Sequence, residues 1–351
     1  MPSIPLLACF LLIGTDAPQT PAQAPPDPQA IARAVALEAV HLKNIRQVTT
    51  GFARAGEGYF RPDGRAVIFQ ASEPGREEYQ IYTLGLEPGA KPTLVSTGKG
   101  KCTCSYYHPD GRSILFASTH LDPTLVTPPK PAETAKKGPA YSRTERYRWD
   151  FDAAMDIFRA DVDGSNLVRL TDTPGYDAEG SYSPDGSRII FTSFRDGNAE
   201  IYVMDADGSS PRRITDKKGY DGGPFFSPDG KKIIYRSDRA ENDLLQLFIN
   251  TPDGKSERAL TANEAVNWGP YFFPDSRHIV YSTSLNGHAN YEIYWMDTET
   301  GAQTRITHRE GFDGLPVFSP DGKRILWTSK GRSPDNTSQL FIADFVPPTT
   351  P

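Results

Sequence analysis

From Asn44 onward the chain is built of short apolar runs, each bounded by Gly, Pro, Asp and Ser clusters too closely spaced to leave room for helices. The best-defined runs are Ile189-Ile190-Phe191, Ile233-Ile234-Tyr235, Ile279-Val280-Tyr281 and Ile325-Leu326-Trp327. They are β-branched and aromatic without an alternating polar face, the pattern of strands buried between packed sheets. Around Phe191 the pattern predicts four strands: Gly180–Tyr182, Arg188–Ser193, Glu200–Met204 and Arg212–Thr215. Pro-Asp-Gly at 184–186 and Asp-Ala-Asp-Gly at 205–208 supply the tight turns of antiparallel hairpins.

This unit recurs. An aromatic residue precedes a turn at Pro62-Asp63-Gly64, Pro109-Asp110-Gly111, Pro184-Asp185-Gly186, Pro228-Asp229-Gly230, the degenerate Pro274-Asp275-Ser276 and Pro320-Asp321-Gly322. Successive prolines lie 47, 75, 44, 46 and 46 residues apart, so the long gap is one repeat plus an insertion. Repeats of this period mark propellers or solenoids. The last copy ends at Leu340–Asp344, one strand short, and Ile45-Arg46-Gln47-Val48-Thr49 matches the missing outer strand as seen in Arg212–Thr215 and Thr304–Thr307. The expectation is an all-β, six-bladed β-propeller of four-stranded antiparallel blades, spanning 44–346 and closed by an N-terminal strand that completes the sixth blade.

The flanks read differently. Residues 1–24 hold an apolar run, Ile4–Ile13, too short to span a bilayer and followed by Ala22-Gln23-Ala24, which predicts a signal peptide and a periplasmic or secreted protein. Lipid anchoring at Cys9 is the weaker alternative, because only eight residues precede it. Residues 25–43 form a Pro/Ala-rich tether and a short helix capped by Asp27-Pro28, and 347–351 a tail. No other segment has the length and apolarity of a membrane span. The net charge of −6 offers no general attraction to nucleic acid.

The repeat seen in Gly219-Tyr220-Asp221 to Pro228-Asp229-Gly230, with Ile201-Tyr202-Val203-Met204-Asp205-Ala206-Asp207-Gly208 representing its later part, resembles the TolB-like propeller repeat over roughly residues 45–345. The propeller that precedes the catalytic domain in the prolyl oligopeptidase family is similar. The resemblance implies a periplasmic scaffold that binds other proteins or cell-envelope polymers.

Aligning the blades on their prolines places Ala55, Cys102, Asp177, Asp221, Asn267 and Asp313 at one position, and Glu57, Cys104, Glu179, Gly223, Gly269 and Leu315 two residues on. In a regular inner strand both sets face the same way, which predicts an acidic ring at the channel mouth. Such a ring would suit a divalent cation or a cationic peptide, whereas each Asp could equally cap its own turn. No other cofactor is expected. Cys102 and Cys104 admit three readings: a disulfide, a soft-metal site completed by other residues, or two free thiols. The insertion at 121–152 in blade two carries Tyr141, Tyr147, Trp149 and Phe151, and long loops on rigid scaffolds often bind. His120, Arg195 and Arg239 follow their second strands on the same face, with Arg332 in the matching loop of blade six; the arginines could clamp a carboxylate or sugar acid, or Arg195 and Arg239 pair with nearby Asp and Glu on the surface.

The sequence contains no Gly-x-Ser-x-Gly elbow, His-Glu-x-x-His, P-loop or dinucleotide fingerprint. The expected function is therefore a non-catalytic, monomeric binder of a protein or cell-envelope polysaccharide. Its ligand residues would be Asp177, Glu179, Asp221, Asp313, His120, Arg195, Arg239 and Trp149. The alternative is a polysaccharide lyase or hydrolase that uses the channel-mouth carboxylates.

Overall fold

In the computed structural model, which describes residues 27–125, 151–241 and 244–349, the strands form six four-stranded antiparallel sheets. Five follow chain order from the inside outward. Blade three, for example, comprises Asp177–Tyr182, Arg188–Ser193, Glu200–Asp205 and Arg212–Arg213. The sixth sheet combines Phe312–Phe318, Arg324–Lys330 and Gln339–Phe345 with Leu42–Gln47, which pairs Leu42 opposite Phe345 and Gln47 opposite Phe341. This outer strand begins before Ile45 and ends before Thr49. Thr49 nevertheless keeps the role of its counterparts. Its hydroxyl accepts from Leu340 N at 2.9 Å, as Thr215 accepts from Ile201 N at 2.9 Å and Thr307 from Ile293 N at 2.8 Å.

The recurrent Pro-Asp-Gly is explained by its turn. In all six copies the Asp carboxylate accepts from the backbone amide two residues on, at 2.8–3.1 Å, from Arg65 N through Lys323 N. The following position has positive φ, near 70° at Gly64, Gly111, Gly230 and Gly322, and 60° at Ser276 in the degenerate copy. The second strands form the sheets' buried centre: Ile189 to Phe191, Ile233 to Tyr235, Ile279 to Tyr281 and Ile325 to Trp327 are all fully buried. Each such side chain contributes roughly 1.5–3 kcal/mol of burial.

Among the described residues, helix α1 (Pro28–Glu38) lies before the ring, capped by Asp27, whose carboxylate accepts from Gln29 N and Ala30 N. It does not dock through an apolar stripe, since Val35 and Leu37 are exposed. The anchor is Glu38, 1% exposed, which pairs with Arg332 and accepts from His308 N and Arg309 N.

Candidate functional site

Each inner strand breaks register with its neighbour near its midpoint, between Gly56 and Gly58, Thr103 and Tyr106, Ala178 and Ser181, Gly222 and Phe225, Trp268 and Tyr271, and Gly314 and Val317. At the break sit Glu57, Cys104, Glu179, Gly223, Gly269 and Leu315, all with φ between 47° and 59°. The six copies thus share a bulge in the left-handed region, four of them at a non-glycine residue. The bulge ends the strand's alternation, so the two aligned rings of residues do not face the same way.

All six bulge residues line a cavity of about 200 Å³ on the propeller axis. Its floor is aromatic. Tyr59 packs on Tyr106, Phe225 and Tyr271 with ring centroids 5.1, 5.6 and 6.2 Å away, and the hydroxyls of Tyr106 and Tyr271 lie 3.1 Å apart. Because Tyr59 and Phe225 come from blades one and four, opposite in the ring, their contact crosses the axis and fills the channel there.

Above the floor the charges are unequally provided for. Glu179 receives Arg236 Nη2 at 2.6 Å, the Tyr220 hydroxyl at 2.7 and 2.9 Å, Thr192 Oγ1 at 2.7 Å and Gly223 N at 2.9 Å. Glu57 has no salt bridge among the described residues, and the Tyr59 hydroxyl reaches it only at 3.5 Å. Burial and the neighbouring Glu179 charge push its carboxyl up to about 7, partly offset by Arg236. Burial, together with Glu57 and Glu179, also holds the Cys104 thiol well above its usual value. At the rim, Lys101 pairs with Asp152 at 3.8 Å, and Phe151 packs on Tyr176, Phe194 and Tyr220.

The other aligned ring is absorbed into the blades. Asp177, Asp221 and Asp313 are 1–2% exposed and pair with Arg195, Arg239 and Arg332 at 3.1, 2.8 and 2.6 Å. Arg195 and Arg239 also lie over the rings of Tyr202 and Phe248. In blade five Asn267 bonds to Gln246, Asn263 and the Ala265 carbonyl. In blade two Ser118 Oγ sits 3.1 Å from the Cys102 sulfur and 2.9 Å from His120 Nδ1.

Residues 149–261 and, overlapping them, 194–289 match the family described as TolB beta propeller domain. A putative TolB from Agrobacterium tumefaciens is similar in structure, with TM-score 0.58 and 21% identity over 84% of this chain and 91% of its own. The chain carries a TolB-like β-propeller. TolB from Acinetobacter baumannii is similar at TM-score 0.56 and 21% identity, over 85% of this chain and 65% of its own. An oligogalacturonate lyase from Vibrio parahaemolyticus shares the fold at TM-score 0.52 and 13% identity, over 86% and 93%. No curated protein matches the chain.

In this TolB-like propeller the expected acidic ring is divided. Glu179 lines the cavity, whereas Asp177, Asp221 and Asp313 lie outside its lining, paired with Arg195, Arg239 and Arg332 inside the blades and not on the surface. The physical reason is the bulge, which turns the chain between the two positions. It also separates the cysteines: both thiols are free, Cys102 buried within the blade and Cys104 on the channel. Among the described residues no group of three or more His, Cys, Asp or Glu could hold a metal ion. His120 is half-buried against Phe158, and burial lowers its pKa. Trp149 and most of the insertion lie outside the described residues.

Sequence reasoning missed Arg236 and Tyr220, and it placed Glu57 in the aligned ring without counting it among the ligand residues. A signal for Arg236 existed, because it follows Ile233-Ile234-Tyr235 where the other TolB-like blades place Gln70, Ala117, Thr192, Ser282 and Thr328. The four polar ones accept from the bulge amide of the next blade: Thr328 from Glu57, Gln70 from Cys104, Thr192 from Gly223 and Ser282 from Leu315. No membrane-spanning helix occurs among the described residues.

Proposed function

We propose that this TolB-like propeller is an exported binding protein, without catalytic activity of its own, that engages a protein partner at the face where the axial cavity lies. The observation that carries this reading is the contrast within that cavity. Glu179 is saturated by four donors, while Glu57 sits beside it with no ion partner among the described residues. A half-buried carboxyl enclosed in a cavity and left in that state is costly in the free protein and is relieved by a ligand that brings the missing charge. The carboxylates that an enzyme would need at this mouth are engaged elsewhere, Asp177 and Asp221 with arginine and Glu179 with Arg236. The aromatic floor makes the cavity a blind socket on a rigid ring, suited to receiving a projecting group. The export expected from the N-terminal residues is consistent with this role.

The test is site-specific photocrosslinking in the native host envelope. A benzophenone side chain at Lys101, on the cavity rim, should capture a defined partner, and one at Lys231, in a Pro-Asp-Gly turn, should not. Capture confined to Lys231, or turnover of oligogalacturonate by the purified protein, would overturn the reading.

A further inference from the structure

The socket wall divides by chemistry. Blades one to three present Glu57, Cys104, Ser105 and Glu179, whereas blades five and six present Trp268, Pro270, Leu315 and Pro316. Ser105 is unusual among its equivalents, which are Gly58, Gly180, Pro224, Pro270 and Pro316. Its side chain is 1% exposed and lines the cavity, and its hydroxyl has no hydrogen-bond partner among the described residues. Such a group normally finds one. The charges point the same way: Glu57 and Glu179 face one guanidinium, Arg236, while Lys101 at the rim already pairs with Asp152. With both acids ionised the interior is short of one positive charge.

We infer that the socket receives the primary ammonium of a lysine side chain from the partner, Glu57 and Ser105 accepting its N–H donors while Leu315 and Trp268 cover its aliphatic stem. This rests on the reading of the cavity face as the binding face. Acceptors on two different side chains suit an ammonium, whose three donors diverge, better than a guanidinium, whose donors lie in one planar fork. The volume is adequate, since a cavity of about 150 Å³ admits a benzene-sized guest. Binding also carries a proton signature. Glu57 faces Glu179, Arg236, Cys104 and Tyr59, and it holds its proton to about pH 7. An arriving ammonium displaces that proton, so affinity rises as pH is raised through 7 and levels off above it.

The inference is tested by calorimetric titration of the full chain with Nα-acetyl-lysine methylamide, in two buffers of different ionisation enthalpy. The lysine compound should bind at least tenfold more tightly than Nα-acetyl-norleucine methylamide, which keeps the four-carbon stem and lacks the ammonium, releasing a proton at pH 6 but little at pH 8.5. Glu57→Gln should remove that preference, and Ser105→Ala should weaken binding several-fold, both with unfolding midpoints no lower than that of the parent. Slower alkylation of Cys104 in the presence of the lysine compound gives an independent readout in the unaltered protein. Equal binding of both compounds, preference for leucinamide, glucosamine or calcium chloride, or an unchanged Glu57→Gln would overturn it. Crosslinking from Lys101 alongside any of those results would leave the binding face standing and remove only the lysine.

Discussion

The two aligned rings of the inner strands lie two residues apart and have opposite fates. The ring of Asp177, Asp221 and Asp313 is consumed by the fold, each carboxylate buried against an arginine of its own blade. The ring of Glu57, Cys104 and Glu179 lines the cavity, held there by a bulge at positive φ. A repeat therefore preserves structure where its copies agree and leaves room for recognition where they differ. Asp recurs three times in the first ring because one turn-and-arginine arrangement recurs. The second ring holds two Glu, a Cys, a Leu and two Gly because only backbone shape is common to it.

The comparison breaks most visibly in blade six. Arg332, 3% exposed in its side chain, joins Asp313 of the first ring to Glu38 of helix α1. Arg332→Met leaves two buried carboxylates with no cation and should cost about 3–5 kcal/mol in urea denaturation. Converting all three residues together, with Glu38→Gln and Asp313→Asn added, should recover most of that loss, since a whole buried ion group is often replaceable. A loss under about 1 kcal/mol in the single variant would mean that the first ring is not structural.

How far these roles can be read from sequence follows from what repetition encodes. Strand order, Pro-Asp-Gly turns and buried triplets such as Ile189-Ile190-Phe191 depend on residue type at fixed spacing, and six copies make the spacing visible. That Arg195 and Arg239 pair with acids was legible for the same reason, but not that the acids are buried. The bulge was not. Its positive φ falls on Gly223 and Gly269 but also on Glu57, Cys104, Glu179 and Leu315, so no residue type announces it. Missing it put Asp177 and Glu179 on one face. Ser105 and Arg236 were visible only as departures from their equivalents in other blades.

The second ring should respond in the opposite direction to the first. Glu57 has φ 47° and no ion partner among the described residues. Glu57→Gly removes both the left-handed strain and the half-buried carboxyl, and should stabilise the protein by about 1 kcal/mol at pH 8. The sign with pH follows from proton binding. Unfolded, Glu57 loses its proton near 4.5, whereas folded it keeps it to about 7. In that window the native state binds more protons, so the parent loses stability as pH rises and the loss is constant above it. The advantage of Glu57→Gly should therefore be small near pH 4.5 and largest above 7. Glu292, pushed up to about 8 by burial, leaves a residual slope of the same sign in both proteins. A variant less stable than the parent across this range would place Glu57 with the structural ring.

The smallest effect comes from within one strand, where Cys102 and Cys104 carry the comparison on a single chemical group. Both thiols lie above their ordinary pKa through burial, so both should alkylate slowly at neutral pH and neither behaves as an activated nucleophile. They differ in access. Cys102 is fully buried between Ser118 and the Lys99 carbonyl, and a reagent reaches it only when blade two opens. Cys104 lines the axial cavity, and iodoacetamide can reach it with the ring intact. Mass-resolved labelling should therefore show Cys104 modified in native buffer at a rate that low urea leaves unchanged, while Cys102 labelling tracks unfolding. Equal rates would mean that the bulge does not separate the two positions in solution, and the distinction between a structural and an open ring would fail in the blade where it is most directly measured.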